Sequence, residues 1–222
     1  MPGVLTDRLE AVLKTMETCD TLADIGTDHA YLPIEAVFAE KCKKAIACDI
    51  NAGPLKTAEK NIREAGLTSK IETRLGDGLK PLKPAEADCI TIAGMGGKRI
   101  IGILDESMIK FKQAQLVLQP QHDLEDLRRF LHRISFNINE EALAIEDSRF
   151  YVIVSARYAE NVTLWTDMEY FLGKLSSENL RDLQKYNLHR LEKMSRYIKK
   201  ISDVNTRLET EKKMKWLENN VK

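Results

Sequence analysis

Cysteine is scarce in this chain, with four among 222 residues, at Cys19, Cys42, Cys48 and Cys89, and no two form a C-x-x-C pair. That spacing excludes a small disulfide scaffold or zinc knuckle and describes reduced thiols in a cytosolic protein. Four histidines (His29, His122, His132, His189) share no metal-ligand spacing with one another or with the cysteines, so no metal is expected. No apolar run approaches the ~20 residues of a membrane span, and the opening MPGVLTDRLEAVL lacks the basic-then-apolar order of a signal peptide. A cytoplasmic location without a membrane partner is the expectation. Net charge is +0, so total charge does not point to nucleic acid. Its distribution is uneven: residues 160–222 carry 13 Lys and Arg against 10 acids, which fits either an anionic partner or a solvated helix surface.

What is present is an alternation of short apolar runs with helical patterns. LTDRLEAVLKTM places Leu5, Leu9, Val12, Leu13 and Met16 on one helical face behind Thr6 as N-cap. Strands are predicted at 21–26, 45–50, 70–78, 87–97 and 114–120, and helices at 32–41, 53–66, 98–109 and 123–134. Ala45–Ala47 and Leu116–Leu118 are apolar on both faces, as a parallel sheet covered on both sides requires, and the alternation implies right-handed βαβ units. After residue 135, FNINEEALAIED and FYVIVSARY are strand-like and separated only by Ser148–Arg149, which forces an antiparallel hairpin. From Val162 strand character disappears. The stretch 176–201 carries Leu180, Leu183, Leu188, Leu191, Met194, Ile198 and Ile201 at three- and four-residue steps. The stretch 204–221 carries Leu208, Met214, Leu217 and Val221 behind a Thr206/Glu209 capping box. Two helices folded as an antiparallel coiled-coil hairpin, or one long dimerisation helix, both satisfy the pattern. The expected division is 1–160 and 161–222.

In an open α/β sheet ligands bind beyond the carboxyl ends of the strands. Those ends carry Asp24-Ile25-Gly26-Thr27-Asp28-His29, Asp49-Ile50-Asn51, Gly76-Asp77-Gly78, Ala93-Gly94-Met95-Gly96-Gly97 and Gln119-Pro120-Gln121. Asp49 is placed to accept both hydroxyls of a ribose, or to serve as a turn acid or helix cap. Asp77 is placed to meet an adenine amino group, or to be a glycine-flanked turn acid. The first turn has Gly26 alone where a dinucleotide site needs G-x-G-x-x-G, so a pyrophosphate cradle is poorly supplied. A cationic sulfonium beside Asp24 and Asp28 is electrostatically sensible. Asp28 is open to two readings, cap of the helix starting near Ala30 or a group facing a reactant.

Five parallel strands closed by a hairpin resemble the Rossmann-like doubly wound sheet of class I S-adenosylmethionine-dependent methyltransferases. More specifically, LADIGTDHAYLPI, CDINAGPL, GDGL, IAGMGG and LQPQHDLEDLRRFL together resemble the bacterial TrmK family, tRNA methyltransferases acting on N1 of the adenine at position 22. The match runs in order from LTDRL to about Ala156. It implies an S-adenosylmethionine-binding domain in which Asp24, Gly26 and Thr27 line the methionine end, Asp49 and Ile50 the ribose, and Asp77 and Gly78 the adenine. Asn51, Ala93, Gly94 and Met95 join the cofactor contacts. AGMGG stands where amino-methylating relatives carry an acid or Asn before Pro-Pro-aromatic. An exocyclic amine needs that clamp, whereas ring N1 already has an in-plane lone pair and needs access, alignment and stabilisation of the charge it acquires.

On that footing Asp28 is the catalytic residue, accepting a hydrogen bond from the target amino group and stabilising the developing cation. His29 and Tyr31 stack or orient the base, and Gly96, Gly97, Gln119 and Gln121 border it. Lys98, Arg99, Arg128 and Arg129 hold phosphates, or are ordinary surface charges. The tRNA partner is engaged near its D-arm, with tail cations such as Arg190 and Lys213 gripping an arm. A small-molecule methyltransferase and a non-catalytic cofactor-binding module are the competing readings.

Overall fold

The computed structural model describes residues 5–105, 108–176 and 180–220. It divides into two compact units, the first ending at Thr163 and the second starting at Leu164.

The first unit opens with α1 (Asp7–Thr15), where Thr6 Oγ1 accepts the Leu9 N–H. Five strands and four helices follow, β1 (Cys19–Ile25), α2 (Tyr31–Phe38), β2 (Cys42–Asp49), α3 (Ala52–Glu64), β3 (Ile71–Leu75), β4 (Cys89–Met95), α4 (Gly97–Asp105), β5 (Gln115–Pro120) and α5 (Leu124–Arg133). Then come β6 (Phe136–Glu146) and β7 (Arg149–Tyr158). The order across this sheet is β3-β2-β1-β4-β5-β7-β6. β1 to β5 run parallel, while β7 is antiparallel to both β5 and β6. Every residue of β5 is buried, as a strand covered on both faces requires. The helix expected over 98–109 ends at Asp105, and residues 106–107 lie outside those described. The hairpin turn is Asp147–Ser148, one residue earlier than expected. Both residues have positive φ, 48° and 62°, as a two-residue turn matched to strand twist demands.

Leu22, Cys89, Val117 and Ile153 from four strands meet Val12 and Met16 of the α1 segment in the core. The chain winds outward from β1 to β3 and then returns to the far side of β1 as β4. The crevice beyond the carboxyl ends of β1 and β4 is therefore the switch point at which such sheets bind ligands. A register shift between Ala93 and Met95 interrupts the β4–β5 ladder. Gly94 takes φ 78° within it, a bulge beside the crevice.

The second unit holds α6 (Asp167–Leu172), α7 (Leu180–Ile198) and α8 (Val204–Asn219). α8 packs on both α6 and α7, so the unit has three helices and not two. α6 was missed although Thr166 and Glu169 form a full capping box at its start. α8 is capped by Asp203, whose carboxylate accepts the Thr206 N–H at 2.7 Å, in place of the expected Thr206 box. Leu180, Leu188 and Leu208 were expected in the apolar stripes and are exposed, while Phe171 of α6 faces Trp216 of α8. Val221 lies outside the described residues.

Candidate active site

The first turn is built around what Gly26 lacks. It has φ 76°, which favours glycine, and a Cβ there would displace the Met95 methyl that lies over the turn. The Gly26 and Thr27 N–H groups both donate to Cys48 O, at 2.8 and 2.9 Å, which ties the turn to β2. Asp28 follows with φ 55°. The helix cap reading of Asp28 is not what the structure contains: the N-cap of α2 is Ala30, with no side-chain hydrogen bond. The Asp28 side chain is instead 68% exposed, 3.6 Å from His29 Nε2.

Two further acids stand behind it. Asp24 is buried, and its Oδ1 accepts the Thr91 hydroxyl at 2.6 Å. Burial drives its carboxyl above the ordinary carboxylate range, since the ionised form loses water and gains only a neutral partner. No cation pairs with it among the described residues. Asp49 is also buried. Its Oδ1 accepts the Asn51 N–H at 2.8 Å, and its Oδ2 lies 3.4 Å from the Asp28 amide. The ends of β1 and β2 thus share one carboxylate.

These acids line a cleft of about 490 Å³, a volume ordinary for a small-molecule site. The cleft gathers Asp24, Gly26, Thr27, Asp28 and Tyr31 from the first turn. It adds Asp49, Ile50 and Asn51 from the second, Gly78 from the third, Ala93, Gly94 and Met95 from β4, and Arg99 and Gln121 beyond.

The model of the TrmK family, described as tRNA (adenine(22)-N(1))-methyltransferase, matches residues 22–222. This chain belongs to the TrmK family. It is 36% identical over 172 residues to the tRNA (adenine(22)-N(1))-methyltransferase of Bacillus subtilis, covering 77% of this chain and 72% of that protein. Streptococcus pneumoniae Sp1610, a putative tRNA (m1A22) methyltransferase solved in complex with S-adenosyl-L-methionine, superposes with a TM-score of 0.88 at 30% identity, covering 99% of this chain and 100% of that one. Mycoplasma capricolum TrmK, solved with S-adenosyl-homocysteine, gives 0.84 at 28% identity, covering 99% and 98%.

Other residues expected to serve TrmK chemistry lie elsewhere. Arg128 cannot hold a phosphate: it is buried on α5, and its Nε donates to the equally buried Glu141 at 2.7 Å. Arg129 bonds Glu125 one helical turn away. Gln119 is fully buried and acts as a bracket rather than a substrate contact. Its Oε1 accepts from Arg8 Nη1 (3.0 Å) and the Gly94 N–H (3.1 Å), while its Nε2 donates to Pro120 O (2.8 Å). Gly96 and Gly97 turn toward the β5–α5 loop. A Cβ at Gly96 would meet the His122 ring, and one at Gly97 the His122 carbonyl. Asp77 is outside the cleft wall although Gly76 and Gly78 are in it. Arg99 and Lys80 occupy its carboxylate at 2.6 and 2.9 Å and hold it below the usual range, Lys80 foremost. Lys98 is exposed. His29 keeps its Nδ1 buried with no hydrogen-bond partner among the described residues, packs edge-on to Tyr31 at 5.7 Å, and offers its carbonyl to Asn61.

Arg8 was missed. It lines the TrmK cleft from α1, fixed by Gln119 and by its own amide donating to Glu146. A signal existed, because Arg8 falls in the same helical stripe as Leu5 and Val12, a charge among apolar side chains. In this unit's described residues no group of His, Cys, Asp and Glu is arranged to hold a metal. No described helix is long and apolar enough to cross a membrane.

Proposed function

We propose that the cleft binds S-adenosylmethionine and that Asp28 at its rim promotes methylation of N1 of adenine 22 in tRNA. The observation that carries this reading is the division of labour among three acids. Asp24 is buried without a counter-cation, Asp49 is held in the ridge between two turns, and Asp28 is exposed and left out of helix capping. A cationic ligand suits the first, since a positive group would return Asp24 to its ionised form. A ribose suits the second, with the remaining lone pairs of Asp49 as acceptors. S-adenosylmethionine satisfies both and, when bound, supplies the electrophilic methyl carbon.

Adenine N1 attacks with its in-plane lone pair, so no residue has to remove a proton first. The base becomes cationic as the N1–methyl bond forms. Asp28 accepts a hydrogen bond from the adjacent amino group and opposes that charge, while Tyr31 and His29 give the ring a surface to lie against. N1 sits on the pairing edge, so the base must leave its stack, at a cost of a few kcal/mol. Lys98 and Gln121 are the exposed groups near the rim that would meet the RNA backbone, and the D-arm region is the surface we assign to them. Asp77 contributes to an adenine pocket only if Lys80 and Arg99 release it; Gly76 and Gly78 present backbone there regardless.

The test is mass-spectrometric nucleoside analysis of tRNA incubated with the protein and labelled S-adenosylmethionine. The expected product is N1-methyladenosine, and N6-methyladenosine would overturn the proposal. Asp28→Asn lowers kcat by roughly 10²–10³, the loss typical of one charge-stabilising group, and leaves the Kd for S-adenosylmethionine unchanged. Equal turnover in the two proteins would remove Asp28 from the mechanism.

A further inference from the structure

The same sheet has a second cavity at the opposite, amino-terminal ends of its strands, about 880 Å³ in volume and lined by Cys19, Cys42, Gln115 and Arg157 among others. It contains thiols that the methyl-transfer chemistry does not use. Cys19 and Cys42 open β1 and β2 and face each other as register partners across the parallel pair. Register partners in adjacent strands have Cα atoms about 5 Å apart, inside the ~4.4–6.8 Å range of disulfides, and their side chains share one face of the sheet. Cys19 is half-buried and Cys42 buried, yet both reach the cavity wall. Cys89 completes the cluster, but it pairs in register with Leu22. That offset of about 10 Å along β1 leaves Cys42 as the register partner of Cys19, and the Cys89 thiol donates instead to Gln115 Oε1 at 3.7 Å.

We infer that Cys19 and Cys42 form a peroxide-sensitive thiol pair, with Cys19 as the attacking sulfur and Cys42 as the resolving one. The environment separates their roles. Cys19 is the half-buried sulfur of the two, so peroxide reaches it first. The neighbouring Cys89 thiol lowers its pKa from the ordinary value, while burial, Asp88 and Asp20 oppose that and Arg157, itself paired to Glu17, adds the least. Burial pushes the Cys42 thiol up to about 12, so it stays protonated until a sulfenic acid is presented to it. The Cys19 thiolate attacks a hydroperoxide, the O–O bond breaks, and an alcohol (or water) leaves with the proton drawn from solvent. Cys42 sulfur then attacks the Cys19 sulfenic sulfur. The S–O bond breaks, the hydroxide takes the Cys42 proton as water, and a Cys19–Cys42 disulfide remains. Two thiols have lost two electrons to the peroxide. In a reducing cytosol such a bond is transient.

The experiment uses the reduced full-length chain, a few equivalents of hydrogen peroxide, alkylation of remaining thiols, and non-reducing peptide mass spectrometry. The expected result is one linked pair, Cys19 with Cys42, reversed by dithiothreitol. Cys19 is consumed about tenfold faster than Cys48, a thiol that burial also holds at about 12. Cys42→Ser leaves a Cys19 sulfenic acid that dimedone traps. Consumption of Cys19 no faster than Cys48, a link to Cys89, or sulfinic acid without any link in the unmutated chain would each overturn the inference. None of these readouts depends on methyl transfer, so the pair stands or falls separately from the active site.

Discussion

The two units of this chain hold themselves together by different means. The sheet unit buries strands on both faces and even closes an Arg128–Glu141 ion pair inside itself, at 1% and 0% side-chain exposure. The helical unit has Tyr170 and Leu217 as its buried hydrophobics, among the described residues. It is dressed with cations over rings: Arg190 lies 4.2 Å from the Phe171 centroid and donates to the Phe171 carbonyl, Lys213 5.2 Å from the same ring, and Lys212 4.9 Å from Trp216. The contrast teaches that a basic residue in this protein cannot be read as an RNA contact from its charge alone. Arg128 is a core component, and Arg190 is a packing element whose stem and guanidinium cover an aromatic.

The comparison is broken most severely by Glu141→Ala. It removes the carboxylate that Arg128 bonds inside the core at 2.7 Å and costs about 3–5 kcal/mol, read as a drop in the denaturant midpoint of the sheet unit. Leu217→Ala comes next, at about 2–4 kcal/mol for a buried leucine with few apolar neighbours. Hydrogen exchange should show the loss confined to amides of α6, α7 and α8, with the strands unaffected. Asp24→Asn has a smaller effect of the opposite sign. The folded protein holds this carboxyl above its ordinary value, so ionising it destabilises the fold progressively as pH rises from the ordinary carboxyl range toward the raised one. The variant therefore melts roughly 2–4 °C higher at pH 8, for about 1 kcal/mol, and the gap closes as pH falls toward ~4. It also binds S-adenosylmethionine more weakly, and loses less toward S-adenosyl-homocysteine, whose sulfur is uncharged. Smallest is Lys213→Met, worth about 0.5–1 kcal/mol at an exposed ring and read in the same hydrogen-exchange experiment.

The sheet was legible because several of its strands, β5 above all, are apolar on both faces, a pattern no surface helix imitates, and because Pro54 and Gly66 punctuate α3. The wall of the cleft was legible at the strand ends, where Asp24, Gly26, Asp28 and Asp49 line it. It was not legible where a contact spans the sequence. Nothing near Arg128 announces Glu141 on another element. Gln119 looks like an exposed strand-end amide until Arg8, 111 residues away, is seen to bond it. Asp77 combines a local and a distant contact: Lys80, three residues on, and Arg99 from the next βα unit both hold its carboxylate, which stands outside the cleft wall. In the tail, a three- and four-residue leucine pattern marks helices without saying which face a third helix will cover, and the short α6 carries too few apolar positions to register a period.

The bracket at Gln119 bears on how this protein can be trimmed or fused. Every acid of the cleft lies downstream of residue 20, so a version starting at β1 would look complete by its motifs. It would nevertheless be missing Arg8, and with it the strut between the opening helix and the bulge at Gly94. An affinity handle appended close to Leu5 puts the same strut under load, whereas one joined after the last helix leaves it alone.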